Sequence, residues 1–275
     1  MRTVLIDAHQ LPVQRACRIV RLSRTAFYRP PPPRMRTDAP GIAALTTVVA
    51  AHGRWGFWKG FDRLRLEGRR GNHQRVHRVY CALRLHLPRR IKRRVPLRLR
   101  QPLLAPPVLN HTWALDYVTD ALYSGQRFRA LTILAEGNRE GLALEVATSI
   151  PSPRGVRVLE DLVALHGRPR ALRTDNGPEF IAQPLVEWCE AHAVALHYIQ
   201  PGKPDQNAYI ERFNRSYRTE VLDAYAFEAI TQVRDLTETW LESSNRERPH
   251  DSLGRVPPLT FLPRRTSPGS LTSEC

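Results

Sequence analysis

The chain has 275 residues, 42% of them hydrophobic, enough for one good-sized core plus a smaller module. No apolar run approaches the roughly 18–20 residues of a membrane span, the interrupted N-terminus shows no signal peptide, and Cys17, Cys81, Cys189 and Cys275 lie too far apart for a zinc finger. The expectation is a cytoplasmic protein with reduced thiols and no membrane partner. The formal charge of +16 is uneven: residues 1–110 hold 24 Lys and Arg against 4 acidic residues, and residues 111–275 hold 18 against 22. A front of net +20 on a back of net −4 fits a polyanionic partner engaged through phosphate contacts.

In chain order, residues 10–28 place Val13, Ala16, Cys17, Val20 and Leu22 at helical spacing, and Ser23 is placed to cap a second helix over Thr25–Tyr28. This is a helix-turn-helix pattern, and equally that of any short helical hairpin. Pro30–Pro33 reads as a stiff linker closing a first segment, 1–36. Residues 37–88 read as a helical DNA-binding module: Ile42–His52, Lys59–Glu67, and a third helix capped by Asn72 over His73–Leu85, with Arg75, Arg78 and Arg84 near one face. Residues 89–104 read as a basic, proline-broken linker.

From His111 the periodicity changes. Thr112–Val118, Phe128–Leu134 and Leu142–Ala147 read as strands, Gly155–His166 as a helix, Ala171–Arg173 as a short buried strand, Ile181–Ala193 as a helix and Val194–Ile199 as a strand. Helices over about 207–222 and 228–243 follow. A three-strand meander and then alternating helices and strands predict an α/β domain, a mixed sheet flanked by helices, over 105–265. Residues 266–275 read as a disordered tail.

Three carboxylates stand out by context. Asp116 lies inside the apolar strand Trp113-Ala114-Leu115-Asp116-Tyr117, where a charge is costly unless paired or bound to a metal. Asp175 follows a short strand in Thr174-Asp175-Asn176-Gly177-Pro178-Glu179-Phe180, and sheet strand ends are where sites gather. Glu211 lies on a helix after Pro201-Gly202-Lys203-Pro204-Asp205-Gln206-Asn207. Taken singly, each has an ordinary explanation: an edge residue, a turn, a solvated helix face. Together they supply hard oxygen ligands of the kind phosphodiester chemistry uses. No G-x-S-x-G and no Cys-His pairing offers a protein nucleophile.

These motifs resemble the second-reading-frame transposases of bacterial insertion sequences, which share the retroviral-integrase catalytic core. Trp-x-x-Asp at 113–116 matches the first motif, Thr-Asp-Asn-Gly-Pro-Glu-Phe at 174–180 the second, and 201–215 the third. Asp175 and Glu211 are separated by 35 residues, the family interval, and Arg-Pro-His at 248–250 with Ser252-Leu253-Gly254 matches the C-terminal signature. The resemblance covers about 105–263. It implies an RNase H-like integrase core of five strands preceded by small helical modules. It implies a DDE transposase that cuts DNA and transfers a 3′-hydroxyl into a target, with Asp116, Asp175 and Glu211 as catalytic and metal residues holding two Mg2+, or Mn2+.

The expected partners are double-stranded DNA, further copies of the chain on that DNA, and an upstream-frame protein. Arg75, Arg78, Lys203, Asn207, Arg215 and Arg218 are the expected DNA contacts; Arg215 and Arg218 follow Glu211 at i+4 and i+7, on one helix face. The chain departs from the family at Ala135-Glu136-Gly137, where side chains are lost, and at Ser244, where a Tyr is usual; Glu136 is not assigned to the metals, and its replacement is expected to cost joining little unless it has taken over a ligand role. Two other functions use the same features: a DNA-binding repressor that needs only the basic front, and an RNase H-like nuclease that hydrolyses without joining.

Overall fold

A computed structural model describes residues 12–21, 23, 28, 34–69, 71–87, 105–200 and 204–264. These fall into two compact units, Met1–Gly53 with Gly71–His86, and Arg54–Arg70 with Leu87–Cys275.

The first unit contains α1 (Val13–Ile19), α2 (Arg34–Ala51) and α4 (His73–Ala82). The second helix of the expected helix-turn-helix falls, apart from Tyr28, outside the described residues, as do the 89–104 linker and the 266–275 tail. Helix α2 begins earlier than its apolar spacing suggests and runs through Pro40. Asn72 caps α4 as expected: its Oδ1 accepts from the Gln74 amide at 2.9 Å.

Helix α3 (Phe57–Leu66), read from sequence as the middle of a 37–88 module, packs within the second unit. Its apolar side buries Phe61 and Leu64. Its polar side is tied to the C-terminal part of the chain: Arg63 meets Glu247 at 3.5 Å, Asp62 meets Arg255 at 3.8 Å, and Arg255 lies over the Trp58 ring. The sequence hides this because contacts nearly 200 residues apart leave no local signal.

The second unit is built on a five-stranded sheet of order β3-β2-β1-β4-β5. The strands are β1 (Thr112–Ala121), β2 (Arg127–Ala135), β3 (Glu140–Ala147), β4 (Ala171–Thr174) and β5 (Ala195–Tyr198). The first three form an antiparallel meander, and β4 and β5 add in parallel beside β1. Helices α5 (Ser152–His166) and α6 (Gln183–Ala191) supply the crossovers. This is the mixed sheet expected of an RNase H-like integrase core. One face carries Leu115, Leu131, Ile133, Leu159, Leu172 and Trp188 in a common core. On the other face α7 (Ala208–Tyr217) and α8 (Ile230–Arg246) bury Ile210, Tyr217 and Val233 against the strands. The short helix α9 (Pro258–Phe261) ends the described chain.

The single helix expected over 207–222 is three elements: a 3-10 turn (Pro204–Asn207), α7, and a π-helical turn (Arg218–Leu222). The wide turn lets Val221 and Leu222 join Val118, Leu122 and Phe128 in one cluster, and such turns recur at functional sites. No helix among the described residues is long and apolar enough to cross a membrane.

Candidate active site

The sheet register brings the first two carboxylates together. Parallel pairing of β1 and β4 ends at Ala114 opposite Arg173. Asp116 and Asp175 each lie two residues further on, so they leave neighbouring strands at the same level, where strands are about 4.8 Å apart. Glu211 comes from the first turn of α7, where the helix dipole favours a negative charge. Both Asp175 and Glu211 act electrostatically on Asp116.

Asp116 is partly buried, and burial is the main reason its carboxyl is pushed up to about 6; the nearby charges of Asp175 and Glu211 push the same way. Two hydrogen bonds oppose them: the Tyr117 amide donates to Oδ1 at 2.7 Å and Asn214 Nδ2 donates to Oδ2 at 2.8 Å. Asp175 Oδ1 accepts from the Gly177 amide at 3.0 Å, which folds the Asp-Asn-Gly turn around the carboxylate.

Several surrounding residues carried no sequence signal. Arg129 on β2 pairs with Glu179 and lies 4.2 Å over the Tyr117 ring, which stacks on Phe180 at 5.0 Å. This braces the 175–180 turn against β1, and Arg129 holds the Glu179 carboxyl below its usual range. Arg173 on β4 donates from Nη1 to the Gln206 carbonyl at 2.8 Å, and Gln206 Oε1 accepts from the Gln200 amide at 2.9 Å. These bonds fix the approach to Glu211. Asn214 was findable, because it follows Glu211 by three residues on one helix face.

The expected DNA contacts divide. Arg75 and Arg78 on α4 both reach the buried Asp38 of α2, each at 2.6 Å, with side chains about half exposed. Arg215 is exposed. Arg218 bonds Asp120 Oδ2 at 3.0 Å and the Thr119 carbonyl at 2.8 Å, securing the end of β1. Asn207 is buried at the start of α7, 3% exposed, with its Oδ1 making no hydrogen bond among the described residues. Lys203 lies outside the described residues.

Of the departures from the family pattern, Glu136 is buried with its Oε1 3.3 Å from Arg173 Nε. Gly137 is required where it stands, because a Cβ there would overlap the Val108 carbonyl oxygen. Asn245 beside Ser244 exchanges hydrogen bonds with the Gly141 amide and carbonyl at 2.9 and 2.8 Å, joining α8 to β3.

Among the described residues no group of three or more His, Cys, Asp or Glu side chains is arranged to hold a metal ion. The donor chemistry nonetheless fits a hard divalent cation. Asp116, Asp175 and Glu211 bring only oxygen, and none of the three makes an ion pair among the described residues.

Two integrase core domain families match the chain, over residues 108–204 and 192–258. With the mixed sheet, they define the class: a polynucleotidyl transferase of the DDE type. The chain is 38% identical to the 39.2 kDa protein of insertion element IS476 from Xanthomonas euvesicatoria, over 94% of this chain and 74% of that one. It is 36% identical to the 31.7 kDa protein of insertion element IS407 from Burkholderia multivorans, over 90% of this chain and 89% of that one. Among solved structures it is similar to the HTLV-2 integrase catalytic core (16% identity, 57% of this chain and 99% of that one, TM-score 0.45). It is also similar to a chain of a simian T-cell lymphotropic virus intasome (18% identity, 84% and 79%, TM-score 0.48). The chain belongs to the family of bacterial insertion-element proteins with an integrase core, the transposases that cut and join DNA.

Proposed function

We propose that Asp116, Asp175 and Glu211 carry this transposition chemistry on the ends of an insertion sequence, using two divalent metal ions, Mg2+ or Mn2+. The observation that supports this best is the state of Asp116. Its carboxyl is driven up to about 6 by burial and by two further carboxylates, and Asp116 makes no ion pair among the described residues. The two neighbouring carboxylates add to the rise, and no ion-pairing cation among the described residues offsets them. Bound between the three carboxylates, the ions would supply positive charge, make water or a 3′-hydroxyl a better nucleophile and stabilise the leaving oxygen.

The chain's own part is positioning. Asn214 and the Tyr117 amide orient Asp116, the Gly177 amide orients Asp175, and the Arg173–Gln206 bond sets the entry to the helix of Glu211. Tyr117, Arg129 and Phe180 brace the turn that carries Asp175, and Arg215 is available to a DNA phosphate on the Glu211 face of α7. The basic front, 1–110, binds the element ends, and the working form is an assembly of several copies on DNA at the nucleoid, with or without an upstream-frame partner.

The test is a metal-dependent strand-transfer assay on the element's own ends. Asp116→Asn, Asp175→Asn and Glu211→Gln should each remove joining and leave end binding intact, because a neutral amide holds magnesium poorly. Joining at the parent level by the Glu211 variant would sink the assignment. Deleting residues 1–100 should abolish end binding and its steep salt dependence. A parent that binds ends but neither cuts nor joins them would be a repressor, and one that only hydrolyses would be a nuclease.

A further inference from the structure

Helix α7 has two polar faces. At 100° per residue, Glu211, Asn214 and Arg215 lie on one side, and Tyr209, Arg212 and Ser216 on the other. The second side borders a cavity of about 70 Å³, also lined by Lys59 of α3, Arg139 of the β2–β3 connection, Ser244 of α8 and His250. Small side chains at 216, 244 and 252 leave the space open. Since a water needs roughly 10–15 Å³ measured this way, the volume suits a group of about five heavy atoms.

The walls are cationic and short of acceptors. Arg139 lies 3.4 Å over the Tyr209 ring, with Nε and Nη1 buried and without hydrogen-bond partners; unmade bonds at buried donors are costly. Lys59 makes no hydrogen bond or ion pair among the described residues, and burial, aided by Arg248, pushes its ammonium down to about 8. Arg248 is already engaged by Glu220 and Ser216. Arg212 stands at the mouth, its side chain 76% exposed and 3.7 Å from Asp251, the single carboxylate in the lining. Four cations thus face one carboxylate, with Glu220 behind Arg248 and Glu136 acting on Arg139.

We propose that this cavity is an anion site for one phosphate group, held by Lys59, Arg139 and Arg212 on the face of α7 opposite Glu211. A single phosphate matches the volume, and its oxygens would accept from the donors that lack partners. The guanidinium fork of Arg139, already fixed by its ring contact, suits such an oxygen pair. The phosphate comes either from free inorganic phosphate or from a DNA strand; the site does not depend on the catalytic assignment.

The test is calorimetric titration of the full chain with inorganic phosphate at constant ionic strength, with chloride as control, repeated on Lys59→Gln and Arg212→Gln. The parent should bind phosphate in preference to chloride. Each variant should bind about tenfold more weakly or worse, as expected for losing a charged hydrogen bond. Arg212 is exposed, so its variant remains informative if the Lys59 variant fails to fold. No phosphate-specific binding by the parent, or undiminished binding by the Arg212 variant, would overturn the proposal. A short single-stranded oligonucleotide separates the sources: affinity lost in parallel with phosphate identifies a DNA phosphate, and unchanged oligonucleotide affinity beside weakened phosphate binding identifies the free ion.

Discussion

Asn214 Nδ2 donates to Asp116 Oδ2 across 2.8 Å, tying the helix that carries Glu211 to the strand that carries Asp116. The bond also helps hold the Asp116 carboxyl down against the burial that raises it. With Asp116 in its proposed role, Asn214→Ala should therefore lower strand transfer by about 10–100-fold, the usual cost of losing a support of a metal ligand. It should also move the acid limb of the pH–rate profile upward, because Asp116 would ionise less readily. A loss of rate with an unmoved profile would reduce Asn214 to a packing role.

Glu136 is buried beside two guanidinium groups, so its replacement bears on stability apart from any effect on joining. Its Oε1 faces Arg173 Nε at 3.3 Å, and burial raises its carboxyl while Arg173 and Arg139 lower it. Glu136→Gln leaves two guanidinium groups without their neighbouring charge, and should destabilise the fold by about 2 kcal/mol. Urea denaturation of Glu136→Gln, Arg173→Gln and the double variant would measure the coupling. Strictly additive effects would mean that the pair does not interact.

How far the sequence could be read depended on the range of the signal. The strands from Thr112 to Ala147 and the carboxylate motifs were legible because alternation, turn residues and motif spacing are local. The mixed sheet followed from element order. Invisible were the docking of Phe57–Leu66 with the core, which rests on distant pairs such as Arg63–Glu247 and Asp62–Arg255, and the π turn at Arg218–Leu222 inside an unbroken helical pattern. The bracing of Tyr117 by Arg129 and Glu179 likewise joins two strands and a turn. Arg218, expected as a DNA contact, also bonds Asp120 at the end of β1, a pairing across nearly 100 residues that helix spacing does not show.

Gly137 looked like a loss of side chain relative to the family, and it is instead a steric requirement. A Cβ there would overlap the Val108 carbonyl oxygen and lie 3.0 Å from the carbonyl carbon. Backbone cannot yield as a flexible side chain can, so Gly137→Ala should cost about 2–3 kcal/mol. Gly125, whose added Cβ would meet nothing within 4 Å, sits at a positive φ of 83°; Gly125→Asn, which tolerates that conformation, should cost well under half as much. Thermal denaturation of both variants gives the comparison, and equal losses would show that the close approach at Val108 is not what demands glycine.

The His250 ring predicts a specific acid sensitivity. It contacts the Ser244 backbone through a hydrogen bond, and burial, with Arg248, Lys59 and Arg212 nearby, pushes its protonation down to about 3 from an ordinary 6.5. In the unfolded chain the ring titrates near the ordinary value. Between these two values the unfolded chain binds more protons than the folded one, so stability rises with pH across that window and is lost on acidification. At pH 5 the loss amounts to about 2 kcal/mol relative to neutral pH. Asp116, raised to about 6, acts in the opposite direction over part of the same range, so the parent's pH profile alone does not isolate the histidine. The comparison with His250→Gln does. That variant should be less stable at neutral pH for want of the ring's packing, yet its stability should fall less steeply between about pH 7 and 5. Urea midpoints at several values in that interval provide the measurement, and parallel curves for parent and variant would show that His250 is not the group being titrated.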